Sequence, residues 1–199
     1  MGTPIRLVVG LGNPGREHEA TRHNAGFWFV DALASRLDAP FAAEAKFHGL
    51  VARPAADLRL LKPRTYMNLS GRSVAALTRF FAIAPGDMLV VHDELDLLPG
   101  QAKMKFGGGI AGHNGLRDIT TEIGTPEFWR LRIGIGHPRD SEIPQQNVVD
   151  YVLQPPRSEE RTAILKTIDD ALAQWPAMAA GDFERAMMAL HTRKDGDTQ

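Results

Sequence analysis

The chain has 199 residues, of which 43% are hydrophobic and 24% charged, as is typical of one soluble globular domain with a sizeable core. It has no cysteine, which excludes disulfides, thiolate metal sites and thiol catalysis. A formal net charge of -1 gives the whole molecule no polyanion-binding signature. We see no secretory signal and no apolar run of membrane-spanning length, so we expect a cytoplasmic protein that has no membrane partner.

The first part of the chain alternates between strand and helix patterns. Residues 5–9 form a short apolar strand, and apolar residues at helical spacing predict a helix over residues 27–37. Two strands are predicted over residues 47–53 and 58–62, joined by a turn of sequence PAAD. A second amphipathic helix is predicted over residues 73–81.

The second part continues the alternation. Residues 88–91 are apolar on both faces, which indicates a central strand of a covered sheet. Further strands are predicted over residues 102–106 and 129–135, with a helix over 116–123 between them, and residues 158–190 are mostly helical. This order predicts the α/β class, with a twisted mixed sheet flanked by α-helices.

No repeat, linker or low-complexity stretch divides the chain. We therefore expect one α/β domain over residues 1–191, including the C-terminal helices. Residues 192–199 are polar, and we expect them to form a frayed tail. The glycine-rich stretch over residues 107–115 is too short for a linker, and its composition predicts a mobile functional loop.

Three segments are dense in polar side chains that chemistry can use: GLGNPG followed by TRHN, HDELD, and GGGIAGHNG. Together they offer a base, a carboxylate to orient it, and several amides, which are the groups that water attack on a carbonyl needs. The chain has no cysteine nucleophile and no serine in a nucleophile-elbow context. The sequence therefore predicts a hydrolase that activates water directly.

The first glycine segment also matches the dinucleotide pattern G-x-G-x-x-G after a strand. That pattern must open a helix at once, but here Pro14 lies inside it and the next four residues show no apolar periodicity. A phosphate-binding P-loop is also absent. We reject a nucleotide cofactor and expect the glycines to form a tight turn that presents Asn13.

Asn13 and Asp93 are each predicted just past the carboxyl end of a strand, where open α/β sheets form their sites. His23 lies near the start of the first helix, whose dipole favours a neutral ring, and Asp93 could fix its tautomer and stabilise its cation. The alternatives are that Asn13 only closes a turn and that His23 is structural. His92, His113 and His137 fit no recognised ligand spacing, so we expect no metal site.

A basic stretch with few acids follows. Lys103 and Lys105 alternate on one strand and therefore share a face. The stretch is either a solvated surface or a rim that contacts phosphate. Its members are Lys103, Lys105, Arg117, Arg130, Arg132 and Arg139.

Tyr66, Met67 and Asn68 precede the second helix. They either cap that helix or grip a nucleotide at the mouth of the site, through stacking and hydrogen bonds. Asn114 lies between Gly112 and Gly115, where backbone freedom lets an amide approach a ligand closely.

Five motifs in this order, GLGNPG…TRHN, KPRTYMNLSG, HDELDL, GGG…GHNGL and RLRIGIGHP, resemble bacterial peptidyl-tRNA hydrolase. The resemblance runs from residue 5 to about residue 153. It implies hydrolysis of the ester between a peptide and the tRNA 3′ ribose, by a monomeric enzyme that needs no metal or cofactor. It also implies a twisted mixed sheet flanked by helices.

The resemblance assigns catalytic roles to His23, its supporting Asp93, and Asn13, which reads the blocked α-amino group. It implies that further residues bind peptide, acceptor end or tRNA phosphate: His18, Tyr66, Met67, Asn68, Lys103, Lys105, His113, Asn114 and Arg132. His18 stands where the family usually has a tyrosine. Ile110 and Ala111 replace the usual histidine and glycine, so we expect a less flexible loop.

Two other functions stay open on the residues alone. One is a non-catalytic RNA-binding module that uses Lys103, Lys105 and Arg132. The other is a dinucleotide-binding oxidoreductase that depends on the glycine pattern at residues 10–15.

Overall fold

A computed structural model describes residues 2–191, and the predicted tail at residues 192–199 lies outside them. Seven strands form one mixed sheet in the order β2-β3-β4-β1-β5-β7-β6. Strands β1, β4, β5 and β7 are parallel to one another, whereas β2, β3 and β6 pair antiparallel. The strands are β1 Leu7–Gly10, β2 Ala42–Glu44, β3 Gly49–Ala55, β4 Leu58–Pro63, β5 Met88–Glu94, β6 Ala102–Phe106 and β7 Trp129–Gly134.

Helices cover both faces of the sheet, and each face has its own apolar core. The first core contains Phe29 and Ile168, and the second contains Leu77 and Ile119. Leu89 and Val91 of β5 belong to the first core and Val90 to the second, as the predicted central strand requires. The helices are α1 Ala25–Arg36, α2 Ser70–Phe81, α3 Asn114–Ile123, α4 Val148–Val152, α5 Ser158–Ala173, α6 Trp175–Ala179 and α7 Phe183–His191.

The α/β class and the mixed sheet are confirmed, and among the predicted elements the differences lie at the ends. Helix α2 begins at Ser70, three residues before its predicted start. The central strand β5 continues to Glu94, so Asp93 lies within it, paired with Ile133 of β7, and the prediction that Asp93 follows the strand is wrong. Its polar end lacks the apolar pattern from which we predicted the strand.

Two short elements have no counterpart in the sequence prediction. Strand β2 has three residues at the edge of the sheet, and α4 has five. Neither is long enough to show the periodicity that identifies a strand or a helix. Within residues 2–191, no helix is both long enough and apolar enough to cross a membrane.

Helix α1 packs directly on the sheet because two glycines remove the side chains between them. A Cβ at Gly26 would overlap the carbonyl oxygen of Val91 and the backbone of Leu11, and a Cβ at Gly10 would overlap the carbonyl oxygen of Gly26. Since His23 lies in the 3-10 turn Arg22–Asn24 immediately before α1, this close approach brings it to the end of β5. The glycines thus position a candidate catalytic side chain.

Candidate active site

A cleft of about 860 Å³ opens where β1 and β5 end. Its polar lining comes from the loop after β1, the turn before α1, the end of β5 and the glycine-rich loop. The structure brings the following predicted site residues into this lining: Asn13, His23, Tyr66, Met67, Asn68, Asp93, Lys105, His113, Asn114 and Arg132. His18 and Lys103 are not part of the lining.

His23 and Asp93 meet at the floor of the cleft. The Nδ1 atom of His23 lies 2.9 Å from Oδ2 and 3.0 Å from Oδ1 of Asp93. Both residues are buried, with exposed fractions of 9% and 3%. If Nδ1–H donates to the carboxylate, the lone pair of Nε2 is left to accept a proton, because no described residue forms a hydrogen bond with that atom.

Asp93 also accepts a hydrogen bond from a second histidine, His113. The Nε2 atom of His113 lies 2.8 Å from Oδ1 of Asp93, and its Nδ1 accepts from the backbone N–H of Leu116 at the start of α3. This pairing puts the His113 proton on Nε2. The ring of His113 also contacts His92, with centroids 4.9 Å apart.

The charges of these groups follow from their surroundings. Burial lowers the pKa of His23, but the charge of Asp93 and its hydrogen bond raise that pKa more, so the imidazole titrates above its usual value. Burial raises the pKa of Asp93, but His23 and His113 lower it further, and the carboxylate stays ionised. We expected the dipole at the start of α1 to favour the neutral ring of His23. The charge of Asp93 has the larger effect, and the pKa of His23 is raised.

His92 is a buried neutral histidine that the sequence analysis did not assign to a site. Burial and then the neighbouring His113 lower its pKa to about 3. Its Nδ1–H donates to the carbonyl oxygen of Asp93 at 2.7 Å, and its buried Nε2 has no partner among the described residues. The only sequence feature that pointed to His92 was its position next to Asp93 in the HDELD segment.

Asn13 is held rigidly, with its amide nitrogen free. The side chain of Asn24 accepts from the backbone N–H of Asn13 at 2.8 Å and donates to its carbonyl oxygen at 2.9 Å. The Oδ1 atom of Asn13 accepts from the backbone N–H of Met67 at 2.7 Å. Since no described residue pairs with Nδ2, this side chain presents a donor to the cleft.

The remaining amides lie nearer the mouth of the cleft. Asn68, in the 3-10 turn Met67–Leu69, is exposed, and Tyr66 beside it is 61% exposed. Asn114 is the first residue of α3, and its Oδ1 accepts a long hydrogen bond from Arg117. These side chains have room to contact a ligand.

The basic residues divide into paired and unpaired groups. Lys103 and Lys105 lie on β6, on either side of the buried Met104, and Lys105 is exposed. Arg132 donates from Nε to the buried Glu94 at 2.9 Å, so its charge is largely compensated. Arg130 does not belong to a phosphate-contacting rim, because it is only 2% exposed and donates to the carbonyl oxygens of Gly108 and Gly109.

One wall of the cleft is apolar, and the sequence analysis missed it. It consists of Val148, Val149 and Val152 of α4 with the adjoining Leu153, and Leu95 also belongs to the lining. Val149 is 57% exposed, which is more than a residue of a core helix would be. A five-residue helix gives no periodic signal, and no local pattern marks these residues as part of a site.

Within the described residues, one cluster has the composition of a metal site. Ligand atoms of His23, Asp93 and His113 all lie within 4.8 Å of one another. The same atoms are joined by hydrogen bonds, so a cation would have to displace the protons that they share.

A sequence profile of the family described as peptidyl-tRNA hydrolase matches residues 7–197. The chain belongs to the peptidyl-tRNA hydrolase family. The peptidyl-tRNA hydrolase of Bordetella avium is 58% identical over 195 residues, which cover 96% of this chain and 94% of that protein. That of Nitrosospira multiformis is 57% identical over 193 residues, covering 96% of this chain and 99% of that protein.

A solved structure of the family has the same fold. The crystal structure of peptidyl-tRNA hydrolase from Acinetobacter baumannii matches with a TM-score of 0.90 and 46% identity, over 96% of this chain and 97% of that one. The family expected from the five motifs is confirmed. The glycine pattern at residues 10–15 leads into the 3-10 turn Arg16–His18 and not into the long helix that a dinucleotide site needs.

Proposed function

We propose that this protein hydrolyses the ester bond of peptidyl-tRNA by direct attack of water, with His23 as the general base and Asp93 as its partner. Membership of the family supports the reaction. The buried contact between the two side chains in the cleft supports their roles. A general base contributes about 10²–10⁴-fold to such a reaction.

In this reaction the Nε2 atom of His23 takes a proton from water as the oxygen attacks the ester carbonyl. Asp93 stabilises the imidazolium that forms. The bond between the carbonyl carbon and the ribose oxygen then breaks, and the imidazolium returns the proton to that oxygen. The products are a free peptide and tRNA, and no covalent intermediate is needed because an ester already has a good leaving group.

Asn13 supplies a donor to a carbonyl oxygen of the substrate. Its Oδ1 is occupied by the N–H of Met67, so only Nδ2 can reach the ligand. A blocked α-amino group brings an acyl carbonyl that accepts this hydrogen bond, whereas a free α-ammonium brings only donors. This difference favours peptidyl-tRNA over aminoacyl-tRNA.

The other predicted residues hold the two ends of the substrate. Asn68 and Asn114 donate to the peptide and the acceptor end beside Tyr66 and Met67, and His113 orients Asp93 while lining the same cleft. Lys103, Lys105 and Arg132 meet tRNA phosphate, mainly through charge, so binding depends on salt and little on sequence. His18 and Lys103 lie outside the cleft lining, so we propose that they contact the tRNA beyond the cleft.

We further propose that the protein acts as a monomer in the cytoplasm, without a cofactor or an obligate protein partner. His23 and Asp93 pair within one chain, so this pair needs no residue from a second copy. The substrate is a product of translation, which takes place in that compartment.

Hydrolysis of N-acetyl-aminoacyl-tRNA by the wild type and by His23→Asn tests the proposal. We expect the variant to lose about 10²–10⁴-fold in kcat while its affinity for uncharged tRNA, measured by fluorescence anisotropy, is kept. His48→Asn is the matched control, since His48 is a histidine outside the cleft with a left-handed backbone that asparagine tolerates.

Three results would contradict the proposal. Equal rates for the wild type and His23→Asn would show that the base is wrongly assigned. A wild-type protein that binds tRNA but leaves the ester intact would be the RNA-binding module. Saturable binding of NAD(P) in a spectroscopic titration would support the oxidoreductase.

A further inference from the structure

Arg22 is a buried arginine next to His23 to which neither the sequence analysis nor the proposed reaction gives a role. It begins the 3-10 turn Arg22–Asn24 and is 5% exposed. It does not line the cleft. An arginine is rarely buried without partners that hold it there, so its contacts show what it does.

The guanidinium of Arg22 binds the end of α4 and the start of α5. Its Nη1 donates to the carbonyl oxygen of Tyr151 at 3.1 Å and, at 3.4 Å, to that of Gln154. Its Nη2 donates to Oε2 of Glu160 at 2.8 Å. The guanidinium also stacks on the ring of Tyr151, 4.0 Å from the centroid.

The backbone of the same residue reinforces this link. The N–H of Arg22 donates to the carbonyl oxygen of Gln154 at 3.1 Å. Glu160 is itself fixed, because it also accepts from the backbone N–H of Arg157 in the capping box of α5. One side chain therefore joins the turn that carries His23 to the helix that forms the apolar wall of the cleft.

Stability alone does not account for this arrangement. A buried ion pair gains little over apolar residues of the same volume, because two charges must be removed from water. The Nε atom of Arg22 is buried with no partner among the described residues, which is a further cost. The planar guanidinium of Arg22 instead fixes the position of the His23 turn relative to α4 and α5. A lysine could not bind two carbonyl oxygens and a carboxylate in the same plane.

We propose that Arg22 is a positioning residue that fastens the His23 turn to the end of α4. It keeps the imidazole on Asp93 and keeps the apolar wall at a constant distance from the base. This inference rests on the role proposed for His23, because a misplaced imidazole matters only if it is the base. It adds a residue that acts through His23 without contacting the substrate.

Arg22→Met, Arg22→Lys and Glu160→Gln test the proposal on the full chain. With N-acetyl-aminoacyl-tRNA, we expect Arg22→Met to lower kcat by about 10²-fold, because small displacements of a catalytic group have effects of that size. KM should rise by a smaller factor. Arg22→Lys should recover part of kcat, and Glu160→Gln should fall between Arg22→Lys and the wild type.

The pH profile separates positioning from loss of folded protein. A smaller folded fraction lowers kcat/KM without moving its acid limb, which reports the pKa of the free base. A His23 ring displaced from Asp93 loses the interaction that raises its pKa, so the acid limb moves to lower pH. The side-chain ¹⁵N resonances of His23 should show the same change in the pKa and the tautomer.

Arg161→Met is the matched control, because it removes a different guanidinium, one on α5 that stacks on the ring of Trp28. Among the described residues, no hydrogen bond or ion pair joins Arg161 to the His23 turn. This variant should keep kcat and the acid limb. If Arg22→Met does not fold, Arg22→Lys and Glu160→Gln test the proposal through kcat, the acid limb of the pH profile and the ¹⁵N resonances of His23. Two results in the folded variants would overturn the proposal. One is a wild-type kcat, and the other is a lower kcat with the acid limb and the ¹⁵N resonances of His23 unchanged.

These outcomes differ from failure of the proposed reaction. If His23 is not the base, His23→Asn keeps its activity whatever the Arg22 variants do. If His23→Asn is inactive while the folded Arg22 variants match the wild type in kcat and pH profile, only the role of Arg22 is wrong.

Discussion

The side-chain oxygen of Asn13 accepts a hydrogen bond from the backbone N–H of Met67 at 2.7 Å, which turns its amide nitrogen toward the cleft. This contact joins the loop after β1 to the turn before α2, two segments that are 54 residues apart in sequence. It makes the side chain of Asn13 a donor of fixed orientation. The chemical difference between an amide and a carboxylate at this position can therefore be tested with little change in structure.

Asn13→Asp should keep the contact with Met67 and replace the donor by a second carboxylate oxygen. We expect kcat for N-acetyl-aminoacyl-tRNA to fall by about 10²–10³-fold, as for loss of a single oxyanion donor. Preference for the blocked ester over the free aminoacyl ester should fall too, since a carboxylate attracts the α-ammonium. Rates on both esters are the measurement.

The control for this substitution is Asn147→Asp. Asn147 caps α4 through its oxygen alone, which an aspartate also provides, and it does not line the cleft. It should keep wild-type rates and preference. An Asn13→Asp protein with an unchanged kcat and preference would show that Nδ2 does not contact the substrate.

Asp93→Asn should disable the base through its tautomer. Both His23 and His113 donate to Asp93, but asparagine offers one acceptor and one donor. If the oxygen stays with His113, the amide faces Nδ1 of His23 and forces its proton onto Nε2. We expect kcat to fall by up to about 10⁴-fold, the size of the same change in a serine protease triad.

The pH dependence of the wild type follows from the same pair. Asp93 raises the pKa of His23, and the base must be unprotonated, so kcat/KM should rise with pH along a limb shifted upward from the ordinary pKa of a histidine. In Asp93→Asn the limb of the residual activity should move to lower pH. A limb at the same pH in both proteins would show that it does not report His23.

Ala111→Gly tests whether the loop after β6 is restrained by its sequence. Ala111 has a φ of 45°, a left-handed conformation that is strained for alanine. Glycine relieves the strain but gains freedom in the unfolded chain, so we expect the free energy of unfolding to change by less than about 1 kcal/mol. Amide hydrogen exchange over residues 107–113 should become faster.

Ala82→Gly is a matched control, because Ala82 has a φ of 50° at the end of α2, away from the cleft. Its effect on stability should be similar, with no change in exchange of the loop. Unchanged exchange in Ala111→Gly would show that other contacts restrain the loop, such as those of Arg130 with Gly108 and Gly109.

Removing Lys103 and Lys105 together should weaken tRNA binding most at low salt. Each lost phosphate contact lowers the slope of log K against log salt by about 1. Anisotropy titrations of uncharged tRNA over a range of salt measure this slope. The double variant Lys46→Ala with Lys166→Ala has the same net charge and should keep the wild-type slope; equal slopes for all three proteins would exclude a phosphate contact by β6.

Local sequence predicted most of the framework. Strand β6 has its predicted bounds, and α2 and α3 end where predicted, because an apolar stripe and its period are properties of neighbouring residues. The same reasoning placed Asn13 after a strand and His23 before a helix, since both depend on local order. The five motifs were sufficient to predict the family.

Only the tertiary structure decided which polar groups meet. His23 reaches Asp93 across 70 positions, and Arg22 reaches Tyr151 across 129, separations that no periodicity encodes. Charge alone could not show that Arg130 and Arg132 donate hydrogen bonds to groups of the protein itself, to Gly108 and Gly109 and to Glu94. Composition and spacing supply the candidate groups, but hydrogen bonds over a few ångströms depend on how the strands and helices pack, and that packing determines the site.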